Sequence, residues 1–281
     1  MITGRTEKIG ILGWPVGHSL SPLMQNAAFE SLHLDYVYVP LPVQAEYLAQ
    51  AVVGLKALGF TGANVTIPHK VAIMAYLDEI DSSAQLIGAV NTIVIKEGKC
   101  IGYNTDAQGF IRSLTTKNVM ITGKSAVLMG AGGASRAVVC GLIQHGIGQI
   151  TVGARNLIKV QEFAKGFPTV TNIEGCDWNE SIFNNRIKDC DILINCTPIG
   201  MSADNKEELP IIWDNVHSDT VVCDLIYNPP MTPFLKSAQN HGNKIINGAG
   251  MLVEQGALAF ELWTGKPGPR KIMLEMLSKY M

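Results

Sequence analysis

Residues 125–136 read Ser125-Ala-Val-Leu-Met-Gly-Ala-Gly-Gly-Ala-Ser-Arg136, and this stretch decides the fold. An apolar run ends abruptly in glycines and is followed by small and apolar residues at helical spacing, which predicts a buried parallel strand, a tight turn and a helix start. Gly130 permits the turn, and Gly132 lets the backbone approach a pyrophosphate, while Ser135 replaces the third glycine of the dinucleotide-binding motif. The free N–H groups at the helix start favour an anion.

The next predicted strand, Gln149-Ile-Thr-Val-Gly-Ala-Arg155, ends about 20 residues after the glycines, where an NAD-binding domain places an acid for the ribose 2′-hydroxyl. No acid stands there. Arg155, Asn156 and Lys159 take the place, and a guanidinium binds a phosphate through two parallel hydrogen bonds. The pattern favours NADP, recognised through its 2′-phosphate, and the alternative is a solvated basic turn.

Strands and helices alternate over residues 125–248, which predicts a doubly wound parallel sheet. Two helical patterns remain after that sheet is complete, so we expect them to pack on the first part of the chain. The fold class is therefore α/β with two domains and a cleft between them. We place a discontinuous substrate-binding and catalytic domain with a mixed sheet at residues 1–106 plus 249–281, and a Rossmann-type NADP domain at residues 107–248.

Composition excludes several classes of protein. The chain has 281 residues, 47% hydrophobic and 16% charged, with a net charge of −2, which argues against long disordered tails and against nucleic-acid or membrane surfaces as partners. The six cysteines form no C-x-x-C pair and the six histidines show no metal-ligand spacing, so we expect reduced core thiols and no metal. With no signal peptide and no apolar run long enough for a bilayer, we expect a cytoplasmic protein.

A nicotinamide cofactor requires one protein group that transfers a proton, and Lys70 and Asp106 are the candidates. Ile67-Pro-His-Lys70 predicts a helix that runs to about Leu77, with Lys70 in its first turn, where the helix dipole favours a neutral amine. Asp106 could hold the lysine and a substrate hydroxyl, or simply cap the following helix. His69, beside Lys70, is a weaker candidate.

Polar groups near strand ends would bind further hydroxyls, and a site of this kind rejects substrates that lack them, which implies a polyol. These groups are Asn64, Thr66 and Asn91. Ser19 and Ser21 stand where a loop meets a helix start, and Ser21 followed by Pro22 predicts an N-cap. From these residues alone, capping is the simpler role for Ser21.

Eight motifs follow one another along nearly the whole chain, and their order and spacing are specific: 13–22 (GWPVGHSLSP), 64–70 (NVTIPHK), 88–92 (GAVNT), 102–106 (GYNTD), 130–134 (GAGGA), 195–201 (NCTPIGM), 224–229 (DLIYNP) and 248–252 (GAGML), with Gln255. Together they resemble the shikimate dehydrogenase family, NADP-dependent enzymes of aromatic amino acid biosynthesis that interconvert 3-dehydroshikimate and shikimate.

The resemblance implies a role for each matching position. Lys70 and Asp106 would be the catalytic acid–base pair, and Ser19 and Ser21 would bind the substrate carboxylate. Thr66, Asn91, Tyr227 and Gln255 would bind substrate hydroxyls. The residues implied to hold NADP are Gly130, Ala131, Gly132, Gly133, Ala134, Arg155, Asn156, Lys159, Thr197, Gly248 and Met251.

Three alternatives remain open from the sequence. A quinate/shikimate dehydrogenase of the same family, using NAD or NADP, would share the catalytic pair. A non-catalytic NADP or metabolite sensor would keep the glycine loop and is disfavoured because Lys70 and Asp106 are both present. A methylene-folate dehydrogenase would not need the 102–106 motif or the two serines. Monomer and homodimer are both compatible with the chain.

Overall fold

The computed structural model describes residues 2–167, 172–202 and 207–281. The chain forms two compact units, one made of Met1–Gly109 and Val253–Tyr280 and the other of Phe110–Leu252. Each unit contains a six-stranded sheet. The predicted two-domain α/β class is confirmed.

The first unit contains a mixed sheet with the strand order β2-β1-β3-β5-β6-β4. Parallel pairing joins β1 to β2 and β3, and antiparallel pairing joins β5 to β3 and β6. The strands are β1 Glu7–Gly13, β2 Tyr36–Pro42, β3 Phe60–Val65, β4 Glu79–Ile80, β5 Thr92–Lys96 and β6 Lys99–Tyr103. The helices are α1 Ser21–Ser31, α2 Leu48–Ala57, α3 Ser82–Ile87 and α4 Asp106–Thr115, which begins here, with 3₁₀ turns at Ala45–Tyr47 and Ala72–Tyr76.

Strands β5 and β6 form a hairpin, and its turn residues Glu97 and Gly98 both have positive φ, as the turn geometry requires. Apolar side chains from β1, β3 and β5, among them Leu12, Val65 and Ile93, pack with Leu48 of α2 to form the core of this sheet. The polar residues at the strand ends therefore stand on a rigid support.

The second unit contains a fully parallel sheet with the strand order β12-β11-β10-β7-β8-β9, in which β7 is the first strand along the chain. This is the dinucleotide-binding arrangement, whose ligands bind beyond the carboxyl ends of the strands where the order reverses. The strands are β7 Ser125–Met129, β8 Gln149–Ala154, β9 Asn172–Asp177, β10 Ile192–Asn195, β11 Val221–Asp224 and β12 Lys244–Ile246. The helices are α5 Gly133–Gln144, α6 Leu157–Lys165, α7 Ser181–Lys188, α8 Pro233–Asn240, α9 Ala249–Thr264 and α10 Arg270–Ser278, of which α10 and most of α9 belong to the first unit.

Two local predictions are wrong. The segment 67–77 is a turn followed by a 3₁₀ helix, Ala72–Tyr76, because Ile67 precedes a proline and Pro68 has no N–H to donate. Ser21 is the first residue of α1 and Leu20 is its N-cap, so the Ser21 hydroxyl does not cap the helix. In the described part of the chain, no helix is both long and apolar enough to cross a bilayer.

Candidate active site

An ion pair between Lys70 and Asp106 forms the centre of the candidate site in the first unit. Nζ of Lys70 lies 2.6 Å from Oδ2 of Asp106, and only 17% and 6% of the two side chains are exposed. Lys70 lies in the turn after β3, and Asp106 is the first residue of α4. Burial limits solvent screening, so the charges interact more strongly than a surface pair would.

The position of Lys70 corrects the argument from the helix dipole. The turn is closed by a hydrogen bond from the His69 N–H to the Thr66 carbonyl, and the Val90 N–H donates to the Lys70 carbonyl. Because no α-helix starts here, no helix dipole acts on the amine. The Asp106 carboxylate is instead the charged group in contact with Lys70.

The side chain of Asn91 holds Asp106 in place. Its Nδ2 donates to Oδ1 of Asp106 at 2.8 Å and to Oγ1 of Thr105 at 2.9 Å, while its Oδ1 accepts from the Thr105 N–H at 2.8 Å. Asn104 accepts from the backbone N–H groups of Asp106 and Ala107. The side chain of Asn104 therefore serves the start of α4, and the carboxylate of Asp106 faces Lys70 and Asn91 rather than capping the helix.

Asn64, which the sequence assigned to substrate hydroxyls, lies behind Asn91 in a buried set of hydrogen bonds. Asn64 accepts from the Tyr38 hydroxyl at 2.7 Å and donates to the Asn91 carbonyl at 3.0 Å and to Oγ1 of Thr92 at 3.1 Å. Thr92 in turn donates to Oδ1 of Asn91 at 3.0 Å. We therefore assign Asn64 to positioning Asn91. The sequence did not indicate this role for Tyr38, because a tyrosine is equally common in an ordinary strand.

The remaining predicted substrate residues of the first unit lie in three places. Oε1 of Gln255 is 3.4 Å from Nδ2 of Asn91, which brings Gln255 to the same cluster. Thr66 follows β3, and its methyl group occupies the space that a side chain at Gly13 would need. Ser19 accepts a hydrogen bond from the Ser21 N–H at 3.3 Å, so these two residues form a local pair.

His69 has a structural partner. Its ring is 1% exposed, and Nε2 lies 2.7 Å from the Val43 carbonyl, which can only accept, so Nε2 carries the proton. The ring ties the Lys70 turn to the segment after β2. Among the residues the structure describes, no cluster of histidine, cysteine and carboxylate groups could hold a metal ion.

In the second unit, the glycine turn fits a dinucleotide. Gly130 has φ +98°, and a side chain there would meet the methyl group of Thr197. Gly132 is the N-cap of α5 and offers no side-chain acceptor, so an anion can accept from the first-turn N–H groups. Ser135, at the position of the third glycine, donates from Oγ to the Gly130 carbonyl at 2.7 Å and accepts from the Gly132 N–H at 3.3 Å.

The end of β8 carries the three residues predicted to hold the 2′-phosphate. The side chain of Asn156 is the N-cap of α6 and accepts from the Lys159 N–H at 2.9 Å, so Asn156 orders this turn. Arg155 is 69% exposed, and its Nη1 lies 2.8 Å from Oε1 of Glu207. Its guanidinium also lies 6.0 Å from the centre of the Trp178 ring. Sequence reasoning missed Glu207, because 52 residues separate it from Arg155.

The other predicted cofactor residues of this unit lie at strand and helix ends. Oγ1 of Thr197 donates to Oδ1 of Asn195 at 2.7 Å, beyond β10. A side chain at Gly248 would collide with the Leu225 carbonyl, so only glycine allows this approach. Met251 is buried in the first turn of α9, and Tyr227 is partly buried beyond β11. Gly133 and Ala134 open α5, next to Ala131 in the turn.

Asp224 connects the ends of β10 and β11. It accepts from Nδ2 of Asn195 at 3.1 Å, from the Ile226 N–H at 3.0 Å and from Oγ1 of Thr232 at 2.7 Å. Burial raises the pKa of Asp224 to about 6, against the partly compensating hydrogen bonds from these neutral donors. The network fixes the loops that follow the two strands.

Three family models match the chain. Residues 11–93 match the shikimate dehydrogenase substrate binding domain, 113–241 the shikimate/quinate 5-dehydrogenase family, and 248–277 the shikimate 5′-dehydrogenase C-terminal domain. A protein of Desulforamulus reducens named shikimate dehydrogenase (NADP(+)) is 44% identical, with 99% of this chain and 97% of the relative covered. The chain belongs to the shikimate dehydrogenase family. The resemblance stated from its motifs is thereby confirmed.

Solved structures of similar proteins agree with this family. A shikimate dehydrogenase crystallised with NADP⁺ superposes with a TM-score of 0.91 at 43% identity, covering 100% of this chain and 97% of that one. A ligand-free 5-ketofructose reductase of Gluconobacter superposes with a TM-score of 0.89 at 37% identity, covering 99% and 100%. The architecture of the shikimate dehydrogenase family thus also occurs in a reductase named for a different ketone.

Proposed function

We propose that this protein is an NADP-dependent shikimate dehydrogenase, which reversibly reduces 3-dehydroshikimate to shikimate. Family membership supports the reaction class, and the observation that carries the chemistry is the buried contact between Lys70 and Asp106. The products of the reduction are the alcohol and NADP⁺, and one proton is taken up for each hydride transferred. NADPH, when bound, supplies the hydride.

Lys70 is proposed as the group that transfers the proton. Its ammonium group donates a proton to the carbonyl oxygen of 3-dehydroshikimate as the carbon accepts the hydride, and the amine takes the proton back during oxidation. Asp106 stabilises the charged ammonium and keeps Nζ in one place, while Asn91 fixes the carboxylate through Oδ1. Positioning of this kind lowers the cost of reaching the reactive geometry.

The rest of the substrate shell is proposed from position and residue type. Ser19 and Ser21 would bind the carboxylate, and Thr66, Asn91 and Gln255 would bind hydroxyls. The amide groups of Asn91 and Gln255 lie together and can hydrogen-bond hydroxyls, which favours a polyol ring. Tyr227, which lies in the second unit, keeps the assignment that the resemblance implies.

The second unit is proposed to hold the cofactor. The turn at Gly130 and Gly132 would hold the pyrophosphate at the start of α5, and Arg155 with Lys159 would hold the 2′-phosphate. Gly248 and Met251 would line the nicotinamide side, and Thr197 would also bind the cofactor. We further propose a cytoplasmic location, in keeping with six free cysteines, five of them buried, and we leave monomer and homodimer open.

The test follows nicotinamide absorbance with shikimate and quinate, each with NADP⁺ and NAD⁺, and adds 5-ketofructose with NADPH. We expect shikimate with NADP⁺ to dominate, and Lys70→Ala to abolish turnover while 2′,5′-ADP still binds. Comparable rates with quinate or NAD⁺ would favour a quinate/shikimate dehydrogenase. Faster turnover of 5-ketofructose would move the substrate class to that of the Gluconobacter reductase.

A sensor remains the alternative from a different functional class. Cofactor binding without turnover of any of these substrates would overturn the proposed enzyme and support the sensor. If Lys70→Ala turned over substrate at the wild-type rate, Lys70 would not be the group that transfers the proton.

A further inference from the structure

We propose that Glu207 is a specificity-determining residue that competes with the 2′-phosphate of NADP for Arg155 and so moderates the preference for NADP over NAD. This inference rests on the proposed function, because it takes the end of β8 as the 2′-phosphate site. Glu207 lies in the loop after β10, 52 residues beyond Arg155. It places a carboxylate beside the end of β8, where the sequence around Arg155 has no acid of its own.

Arg155 and Glu207 are in direct hydrogen-bonding contact. Nη1 of Arg155 donates to Oε1 of Glu207 at 2.8 Å. A guanidinium binds phosphate with parallel N–H groups along one edge, and an anion already bound to that group reduces the charge available to a second anion. Two anions sharing one guanidinium also repel each other. Binding of the 2′-phosphate therefore competes with the contact of Glu207 for the charge of Arg155.

The Arg155 guanidinium also lies over the ring of Trp178. The ring of Trp178 is 5% exposed, and the Arg155 guanidinium lies 6.0 Å from its centre. A cation is attracted to the face of an aromatic ring whichever anion it pairs with, so this contact favours the same guanidinium position when the anionic partner changes. Arg155 can thus exchange Glu207 for a phosphate without leaving its place on the ring.

The ion pair with which the phosphate competes is weak. Side-chain exposures of 69% and 38% make Arg155–Glu207 a surface ion pair, a class that contributes little in water. A phosphate carries more charge than a carboxylate, so it displaces Glu207 at a modest loss of affinity. NAD presents only a hydroxyl at this position, and its binding requires no displacement.

The test compares Glu207→Gln with Glu208→Gln by isothermal titration at one ionic strength, using NADP⁺, NAD⁺ and 2′,5′-ADP. Both changes remove one negative charge from adjacent positions, but only Glu207 makes the contact with Arg155. We expect Glu207→Gln to bind NADP⁺ and 2′,5′-ADP about two- to fivefold more tightly, with NAD⁺ unchanged. Glu208→Gln should change all three constants by less than the smaller of these factors.

An unchanged constant for 2′,5′-ADP in Glu207→Gln, or an equal gain in Glu208→Gln, would overturn the inference. Arg155→Ala separates this failure from that of its premise. If Arg155→Ala weakens 2′,5′-ADP while Glu207→Gln has no effect, the 2′-phosphate site stands and the competition does not. If Arg155→Ala has no effect on 2′,5′-ADP, the site assignment itself fails, and the competition fails with it.

Discussion

Two ion pairs of similar length have opposite surroundings in this molecule. Lys70 and Asp106 are 2.6 Å apart with side chains 17% and 6% exposed, whereas Arg155 and Glu207 are 2.8 Å apart with side chains 69% and 38% exposed. The buried pair is fixed by a second layer of hydrogen bonds through Asn91, and removal of one partner leaves a charge in a poorly solvated place. In the exposed pair, each charged group can hydrogen-bond to water in place of its partner. Burial, rather than distance, distinguishes the fixed contact of Lys70 and Asp106 from the solvent-exposed contact of Arg155 and Glu207.

The largest expected effect comes from breaking the buried pair. Asp106→Asn keeps the shape of the side chain but removes the counter-ion of Lys70, and we expect kcat for 3-dehydroshikimate with NADPH to fall about 10²- to 10⁴-fold. Steady-state kinetics measure this, and titration with 2′,5′-ADP shows that the second unit still binds. Lys99→Gln is the matched control, because Lys99 lies 2.6 Å from Glu79 with side chains 60% and 50% exposed. A variant that keeps more than a tenth of the rate would contradict the assignment.

Asn91→Asp tests the layer behind the pair. The change places a second carboxylate 2.8 Å from Asp106, where Nδ2 now donates, and we expect the free energy of unfolding at neutral pH to fall by about 1–3 kcal/mol. Urea denaturation measures it. Asn179→Asp is the control, since exposed Asn179 donates to Asp177 in the same way, and solvent should reduce the effect to a few tenths of a kcal/mol. Equal losses in the two variants would show that burial is unimportant.

Asp224 sharpens the comparison, because its described hydrogen bonds come from neutral donors only. Its folded-state pKa of about 6 exceeds the unfolded value of about 3.9, so the native state holds the proton more tightly. Its contribution to stability is therefore full below about pH 4 and is lost as the pH rises through about 6. Relative to wild type, Asp224→Asn should gain about 1–3 kcal/mol between pH 4 and pH 7.

Urea denaturation of both proteins across this pH range checks the sign. Asn can accept from the Asn195 amide and the Ile226 N–H and can donate to Oγ1 of Thr232, so the network survives the change. A difference in stability that is flat with pH would mean that Asp224 titrates alike in the folded and unfolded states.

The smallest effect is expected at the exposed pair. Glu207→Gln should change the free energy of unfolding by less than about 0.5 kcal/mol, because solvent screens both charges. Thermal and urea denaturation at low and high salt measure it. A loss above 1 kcal/mol would show that Arg155–Glu207 is a structural contact, and the contrast with Lys70–Asp106 would disappear.

Local sequence signals predicted most of the second unit. The apolar run that ends at Gly130 forms β7, and the run that ends at the basic turn forms β8. Both follow from residues adjacent in the chain, so the sequence predicted these strands and the turns and helices after them. Contacts between distant segments were not readable. Tyr38 reaches Asn64 across 26 residues and Arg155 reaches Glu207 across 52, and a single sequence carries no record of such pairing.

The site itself was predicted in part, and the errors have physical causes. The expectation that Asp106 could hold Lys70 agrees with their 2.6 Å contact, yet the helix expected at Lys70 does not form, because Ile67 precedes a proline and Pro68 has no N–H to donate. Helices α3 and α7 and strands β4 and β9 gave short or weakly periodic patterns and were not predicted. Their positions depend on tertiary packing.

Ser135 has a consequence for attempts to engineer the cofactor domain. A designer who restores glycine there to match the dinucleotide-binding pattern would remove the hydroxyl that bonds to both Gly130 and Gly132. The turn would then have more backbone freedom in the free protein. Ordering it when the cofactor binds would cost conformational entropy and so weaken binding. At this position the residue that departs from the consensus links two points of the glycine turn through its hydroxyl, and a sequence closer to the pattern would give a more flexible turn.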